Sequence, residues 1–294
     1  MRGHGASATV VGVCLCACLA GCAKTQEKLG PETRIGAGWD NYRLGEFSLA
    51  LKDFQSAAAN SPKGSDIQLA ALYGEAAIWH LRRPDEDLER AAQLYRQVIE
   101  LAPTNTLAAW SLLALARITS LPVDGEAPGL KEQVAAYQEV VNRFPFHPAG
   151  EEALLMQQAA KLAVPDKAVT REVLDTLRQF IRTHPRSPWI SAAHGLEGHC
   201  CLSLGRSEER LNATLQSWKT AEIDPANPMQ DLSWTYWQIA VVAEFEAGDF
   251  ATAREYYHKL ISEYPTEQRV FLAKQELKRM DELEARLRGE GSTR

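Results

Sequence analysis

Beyond its first 22 residues the chain has no long hydrophobic run, and no segment there approaches the ~18 consecutive apolar residues that a membrane-crossing helix needs. Excess positive charge is missing as well. With 32 Lys and Arg against 38 Asp and Glu, the formal charge is −6, so there is no diffuse positive field to hold a phosphate backbone. Nucleic acid is therefore not an expected partner. Cysteine is scarce where it would matter: Cys14, Cys16, Cys18 and Cys22 crowd the start, and only Cys200 and Cys201 remain for the body. A disulfide framework is excluded. The motifs G-x-x-x-x-G-K, H-E-x-x-H and G-x-S-x-G do not occur. Gly36 and Gly38 begin a G-x-G run, but Asn41 holds the third position and no strand precedes it. No stretch sustains the apolar–polar alternation of a strand. These absences predict a non-enzymatic, all-α chain without cofactor or metal.

What is present begins with an address. Arg2, the apolar run Val10–Ala20 and the small residues around Gly21 have the layout of a secretory signal, too short to span a bilayer. Its ending, Leu19-Ala20-Gly21-Cys22, resembles the lipobox of bacterial lipoproteins. That resemblance implies diacylation of Cys22 and cleavage before it; an ordinary cleaved signal with an incidental cysteine is the alternative. Two or more acyl chains anchor stably, at about 0.8 kcal/mol per buried methylene. The tether Ala23–Gly30 spans at most about 28 Å when extended, which holds the folded part close to the lipid. Ala23 after the lipidated cysteine resembles the outer-membrane sorting pattern of lipoproteins, implying an envelope location facing the periplasm.

The body repeats. Pro62, Pro103, Pro145, Pro185, Pro225 and Pro265 are spaced by 40 to 42 residues. Twelve residues before each stand Ala50, Ala91, Gln133, Val173, Ala213 and Ala253; eight before, Phe54, Tyr95, Tyr137, Leu177, Ser217 and Tyr257; five before, Ala57, Val98, Val140, Phe180, Thr220 and Leu260. These positions share one helical face, and the proline stops the helix because its ring cannot continue it. A second apolar-periodic stretch completes most units: Gln68–Leu81, Leu107–Thr119, Glu151–Ala163, Pro188–Leu204 and Leu232–Glu246. Turn residues such as Leu44-Gly45-Glu46, Arg83-Pro84-Asp85, Leu204-Gly205-Arg206 and Ala247-Gly248-Asp249 separate the two. Six consecutive helical hairpins are predicted.

In the sixth unit, Trp237, Gly248-Asp249-Phe250, Ala253, Tyr257, Leu260 and Pro265 fall at the spacings of the tetratricopeptide repeat (TPR) signature, and the first unit repeats Gly45-Glu46-Phe47, Ala50, Phe54, Ala57 and Pro62. The chain resembles TPR proteins over residues 34–268. The resemblance implies a right-handed α-α superhelix, a solenoid whose first helices line a concave surface that accepts protein segments. Two departures stand out: a period of 40 against about 34, accommodated by longer helices and by insertions such as Ser120–Gly129, and Ser217 at the aromatic position of the fifth unit. HEAT repeats have a closer period but lack this Gly-aromatic-Ala-aromatic-Pro order. The junction Phe180–Pro188, the long period and the lipobox together resemble the TPR lipoprotein of the outer-membrane β-barrel assembly (Bam) machinery, its D subunit, which has five repeats rather than six. The expected organisation is a signal peptide at 1–21, lipidated N-terminus and tether at 22–31, solenoid at 32–268, and capping helix and tail at 269–294.

Beyond Pro265, Gln268–Arg288 forms an amphipathic helix with Leu277, Met280, Leu283 and Leu287 on one side and Glu282–Arg286 and Glu284–Arg288 pairs on the other. It would cover the open end of the solenoid; a short coiled coil is the lesser reading. His194, His199, Cys200 and Cys201 cannot converge on one ion from a single helix, and Cys200 belongs to a stripe with Trp189, Ala193, Leu196 and Leu204. His80, His147, His184 and His258 are scattered and read as solvated. Asp85-Glu86-Asp87 favours the start of a helix. The function this predicts is a lipid-anchored periplasmic adaptor that binds protein partners at the membrane, in outer-membrane protein assembly by the narrower resemblance. A non-catalytic regulatory subunit of a cell-wall enzyme complex, or a purely structural envelope protein, are the alternatives. The TPR register places Trp39, Tyr42 and Arg43 of the first unit and Gln238 and Phe245 of the sixth on the partner-binding surface, with packing of the first hairpin as the competing role of Trp39 and Tyr42.

Overall fold

The structure, a computed structural model, describes residues 29–82, 86–122, 128–224, 227 and 230–289. The lipobox with Cys22, the turn at 83–85, Pro225 and residues 123–127 of the 120–129 insertion lie outside the described residues. Thirteen helices follow in order among them: α1 (Pro31–Arg43), α2 (Phe47–Ala59), α3 (Asp66–Leu81), α4 (Leu88–Leu101), α5 (Thr106–Thr119), α6 (Leu130–Arg143), α7 (Pro148–Lys161), α8 (Lys167–Thr183), α9 (Ile190–Leu204), α10 (Ser207–Thr220), α11 (Ser233–Val241), α12 (Phe250–Glu263) and α13 (Arg269–Leu287). They pack as six hairpins, α1/α2 through α11/α12, each resting on the next, with α13 closing the end. The architecture is an all-α superhelical repeat, and no strand occurs among the described residues. None of the described helices is long and apolar enough to cross a membrane.

Local chemistry sets the helix ends. Asp87, Asp166 and Asp249 cap α4, α8 and α12 by accepting from the backbone N–H groups of Arg90, Ala168 and Thr252, and Ser65 and Asn105 do the same for α3 and α5. Each such cap contributes about 1 kcal/mol. The tight turns within the first, fifth and sixth hairpins place Gly45, Gly205 and Gly248 in the left-handed region (φ 79°, 71° and 66°), which a side chain would strain.

Three histidine expectations change here; His80 is half-buried, its ring edge-on to Tyr95 with centroids 5.9 Å apart and its Nδ1 3.4 Å from the Tyr95 hydroxyl. His147 is not merely solvated: its Nδ1 accepts from the Ala149 N–H at 3.1 Å and caps α7, while its ring meets Trp110 and Phe144 edge-on. His184 stacks on Phe180 with ring centroids 4.8 Å apart. Both serve junctions between units, where a flat ring with a ring nitrogen acceptor or donor can fill and satisfy a turn. His258 is exposed, as expected.

The repeat positions are core positions. Ala50, Phe54, Ala57, Ala91, Tyr95, Val98, Val173, Leu177, Phe180, Ala253, Tyr257 and Leu260 are all buried. Phe54 lies between two glycines on first helices: a Cβ on Gly38 or Gly74 would come within 2.7 or 2.6 Å of its ring. The first hairpin and the next helix therefore close around one phenyl group. Overpacking such a site costs about 1–3 kcal/mol, against about 0.5 or less at the surface. Ala253→Leu is thus expected to lower the thermal midpoint by several degrees, while exposed Glu255→Gln leaves it nearly unchanged; equal midpoints would put the repeat register in error.

Two features lay beyond the sequence reading. After Val241 the helix continues as a π-helix, Val242–Ala247, and this wider turn holds Glu244 inside the sixth unit. There the Tyr257 hydroxyl donates to it at 2.8 Å and Arg279 of α13 pairs with it. Arg254 of α12 also grips α13, through Asp281 and Glu284 at 2.9 Å each. The cap itself follows the sequence in part: Met280 is fully buried and Leu277 packs on the terminal core, but Leu287 is 77% exposed because α13 outruns α12. Arg288 pairs with Glu284 at 3.0 Å, whereas Arg286 donates to the Glu282 carbonyl rather than its carboxylate.

Candidate functional site

A broad concavity lies between the fifth and sixth units. First helices pack on one another from α1 through α9, but the ladder does not continue in the same way from α9 to α11; α11 and its π-helical extension rest on α10 and α12 instead. The linker between α10 and α11 is the longest between units, which lets α11 stand away. The result is a cleft of about 700 Å³ that exposes one face of α10 between α9 and α11.

Its shape follows from the missing aromatic at Ser217. Ser191 of α9 and Ser217 of α10 each donate a hydroxyl to the other's carbonyl at 2.9 Å. Across the same contact, Gly198 lies so that a Cβ would just touch Ala213 and Thr214. Small residues and reciprocal hydrogen bonds draw α9 and α10 together where four of the other units insert a ring and the fourth unit a leucine. At position 217 itself no ring enters the space, and the cleft remains open beside it.

The polar groups of the cleft divide into satisfied and unsatisfied. Arg210 and Glu246 pair across its floor, tying α10 to the π-helix. Asp231 accepts from the Ser233 N–H and hydroxyl, which hold its carboxyl below the ordinary value. Trp218 meets Tyr236 edge-on, with centroids 5.5 Å apart, and Trp237 packs against Tyr257 at 5.6 Å. Arg269 covers the ring of Trp234, 5.2 Å from its centroid. Among the described residues, the indole N–H groups of these three tryptophans and the exposed amide of Gln238 have no hydrogen-bond partner. All four line the cleft.

The five residues anticipated from the TPR register are placed unequally. Gln238 lies in the cleft. Phe245 is exposed outside it, with the Arg279 guanidinium 4.8 Å from its ring centroid. Trp39 and Tyr42 are half-buried in the first hairpin, Trp39 edge-on to Phe54 at 5.1 Å and Tyr42 edge-on to Phe47 at 5.6 Å. Exposed Arg43 pairs with Asp40. The structure does not bring the first-unit group and the sixth-unit group together. Trp218, Arg210 and Glu246 were not singled out from the sequence; the signal that pointed toward them was the serine at position 217.

No metal chemistry is assembled: among the described residues no cluster of His, Cys, Asp and Glu could hold an ion. His194 is engaged with Glu197 at 3.2 Å. Cys200 and Cys201 are both free and buried, and burial pushes the Cys200 thiol up to about 11, the behaviour of a small apolar residue.

Residues 235–266, the α11/α12 hairpin, match the family model TPR_6, tetratricopeptide repeat. No curated protein matches the chain by sequence. Among solved structures, PilW, described as a widely conserved type IV pilus biogenesis factor, is similar at 15% identity and a TM-score of 0.53, covering 81% of this chain and 95% of PilW. The APC/C hetero-tetramer Cut9–Hcn1 is similar at 16% identity and a TM-score of 0.52, over 85% of this chain. This chain spans 42% of the length of that one. At such identities the likeness is one of fold. Hairpin order, buried repeat positions and the matched 235–266 segment together give the chain the all-α superhelical repeat fold of tetratricopeptide proteins.

Proposed function

We propose that the chain is a lipid-anchored adaptor of a bacterial envelope that holds a protein partner close to the membrane surface. The observation that carries the adaptor reading is the cleft between the fifth and sixth units, a concave, tryptophan-lined site. Superhelical repeats present such surfaces for protein recognition. Anchoring is supported by Leu19-Ala20-Gly21-Cys22, and the eight-residue tether keeps the solenoid within about 28 Å of the lipid. Periplasmic exposure at the outer membrane is supported by Ala23, and a part in outer-membrane protein assembly by the junction Phe180–Pro188 with the long period. The anchored form is tested by mass spectrometry of the mature N-terminal peptide. It is expected to begin at acylated Cys22, and Cys22→Ser is expected to move the protein from the membrane to the soluble fraction with its thermal midpoint unchanged. An unmodified Cys22 in soluble protein would remove the membrane from the account.

A further inference from the structure

The topology of the hairpins decides which edge of the solenoid lies nearest Cys22. In each hairpin the second helix returns to the end where the first began. The start of α1 at Pro31 therefore lies on the edge that also carries the ends of α2, α4, α6 and α8 and the junction loops that follow them. First helices pack on one another in sequence from α1 to α9, which keeps this edge continuous through the fourth junction. A lipid on Cys22, with only Ala23–Gly30 between it and α1, would draw the junction edge toward the membrane and leave the opposite edge, that of the hairpin turns, away from it.

The third and fourth junctions give this edge its chemistry. Phe146 is 89% exposed, more than any other large apolar side chain among the described residues. One exposed apolar residue is ordinary; one held in place beside free cations is not. The Phe146 loop is fixed from within, since the His147 ring caps α7 and a Cβ on Gly150 would lie 1.9 Å from the Phe144 carbonyl oxygen. It is also bonded to the next junction: the Trp189 indole donates to the Pro148 carbonyl at 3.0 Å, and the Ser187 hydroxyl to Glu151 at 2.6 Å. Arg182, in the last turn of α8, and Arg186, in the loop after it, stand exposed with no acidic partner among the described residues. The nearby carboxylates are committed, Glu151 to Ser187 and Glu139 to Arg143 at 3.4 Å, while Glu100 shares a shallow cavity with Arg96 and Arg143. The fifth and sixth junctions carry Glu222, Asp224, Glu263 and Glu267 instead, so the cationic stretch is confined to the middle of the edge.

We propose that this stretch of the junction edge rests on an anionic lipid surface, with Phe146 inserted among the headgroups and Arg182 and Arg186 on lipid phosphates. The proposal rests on the anchored reading, which puts the lipid on this side of the solenoid. An exposed ring gains by burial at the headgroup level, and each arginine near an anionic surface strengthens binding about fivefold. Together they stay below the affinity that a single myristoyl chain supplies, about 10⁴ M⁻¹. The contact therefore orients a chain that acyl groups already hold.

The test uses residues 22–294 with Cys22→Ser, the mature length without acyl chains and with every helix of the solenoid. This protein is sedimented with vesicles of phosphatidylglycerol and phosphatidylcholine, and with vesicles of phosphatidylcholine alone. Partition into the mixed vesicles is expected to exceed that into the neutral ones by about tenfold or more and to fall as salt rises. Phe146→Ser should lower it about tenfold, and Arg182→Gln combined with Arg186→Gln about twentyfold. Lys167→Gln combined with Arg171→Gln removes two exposed cations at the opposite end of α8 and should leave it nearly unchanged. All these positions are exposed, and thermal midpoints equal to the parent's certify that the variants fold. No partition, equal partition into neutral vesicles, indifference to Phe146→Ser and the Arg182 and Arg186 pair, or an equal loss from the Lys167 and Arg171 pair would each overturn the proposal; the first would leave Phe146 to a protein partner. Each of these failures leaves the acylation of Cys22, read separately by mass spectrometry, untouched.

Discussion

Phe54→Ala is expected to destabilise the protein by about 3–5 kcal/mol, the range for removing a fully buried phenyl group that its surroundings cannot replace. Replacement is blocked by the geometry. The ring is held between Gly38 of α1 and Gly74 of α3, with Trp39 edge-on, and glycine has no side chain to fall into the vacancy. The loss would be local to the first hairpin and its contact with α3, because repeat proteins draw their stability from each unit and its immediate neighbours. Chemical denaturation should therefore show an early transition for the N-terminal units, with the C-terminal ones retained. A change of less than about 1 kcal/mol would mean that the three helices do not close on this ring. The complementary substitution, Gly74→Val, should be comparably damaging, since its Cβ would lie 2.6 Å from the ring.

The second large effect concerns Glu244, which joins the π-helix to both α12 and the capping helix. Glu244→Ala is expected to cost about 2–3 kcal/mol, chiefly because the fully buried Tyr257 would lose the acceptor for its hydroxyl. The Arg279 contact adds less, since that side chain is partly exposed and screened. Glu244→Gln keeps an acceptor for Tyr257 and should lose much less. The two variants also separate in their pH dependence. Burial pushes the Glu244 carboxyl above its ordinary value, and the Tyr257 hydroxyl and Arg279 only partly oppose this. With the folded pKa above the unfolded one, its contribution to stability is full below the ordinary carboxylate range and declines as pH rises through the folded pKa. Glu244→Gln should flatten the stability profile in that window. An unchanged profile, or equal costs for alanine and glutamine, would separate Glu244 from Tyr257 and from the cap.

What the sequence by itself determined was everything that depends on spacing along one helix. Proline cannot continue a helix, glycine alone sits easily at the tight hairpin turns, and apolar residues at twelve, eight and five positions before each proline must share a face. Six hairpins and a cap follow from those facts, and the core residues Phe54, Tyr95, Leu177 and Tyr257 with them. The serine at position 217 was legible as a weak point, but not as an opening. Which helices separate there depends on how closely α9 and α10 approach and on the length of the linker before α11, both properties of packing between units. For the same reason Gln238 reached the cleft while Phe245, seven residues on, turned away from it: the π-helix after Val241 shifts the helical phase, and no periodic reading carries across such a shift. The Glu244–Tyr257–Arg279 junction joins three helices and was decided only by the tertiary structure, because a buried carboxylate is stable only where partners from other helices arrive to bond it.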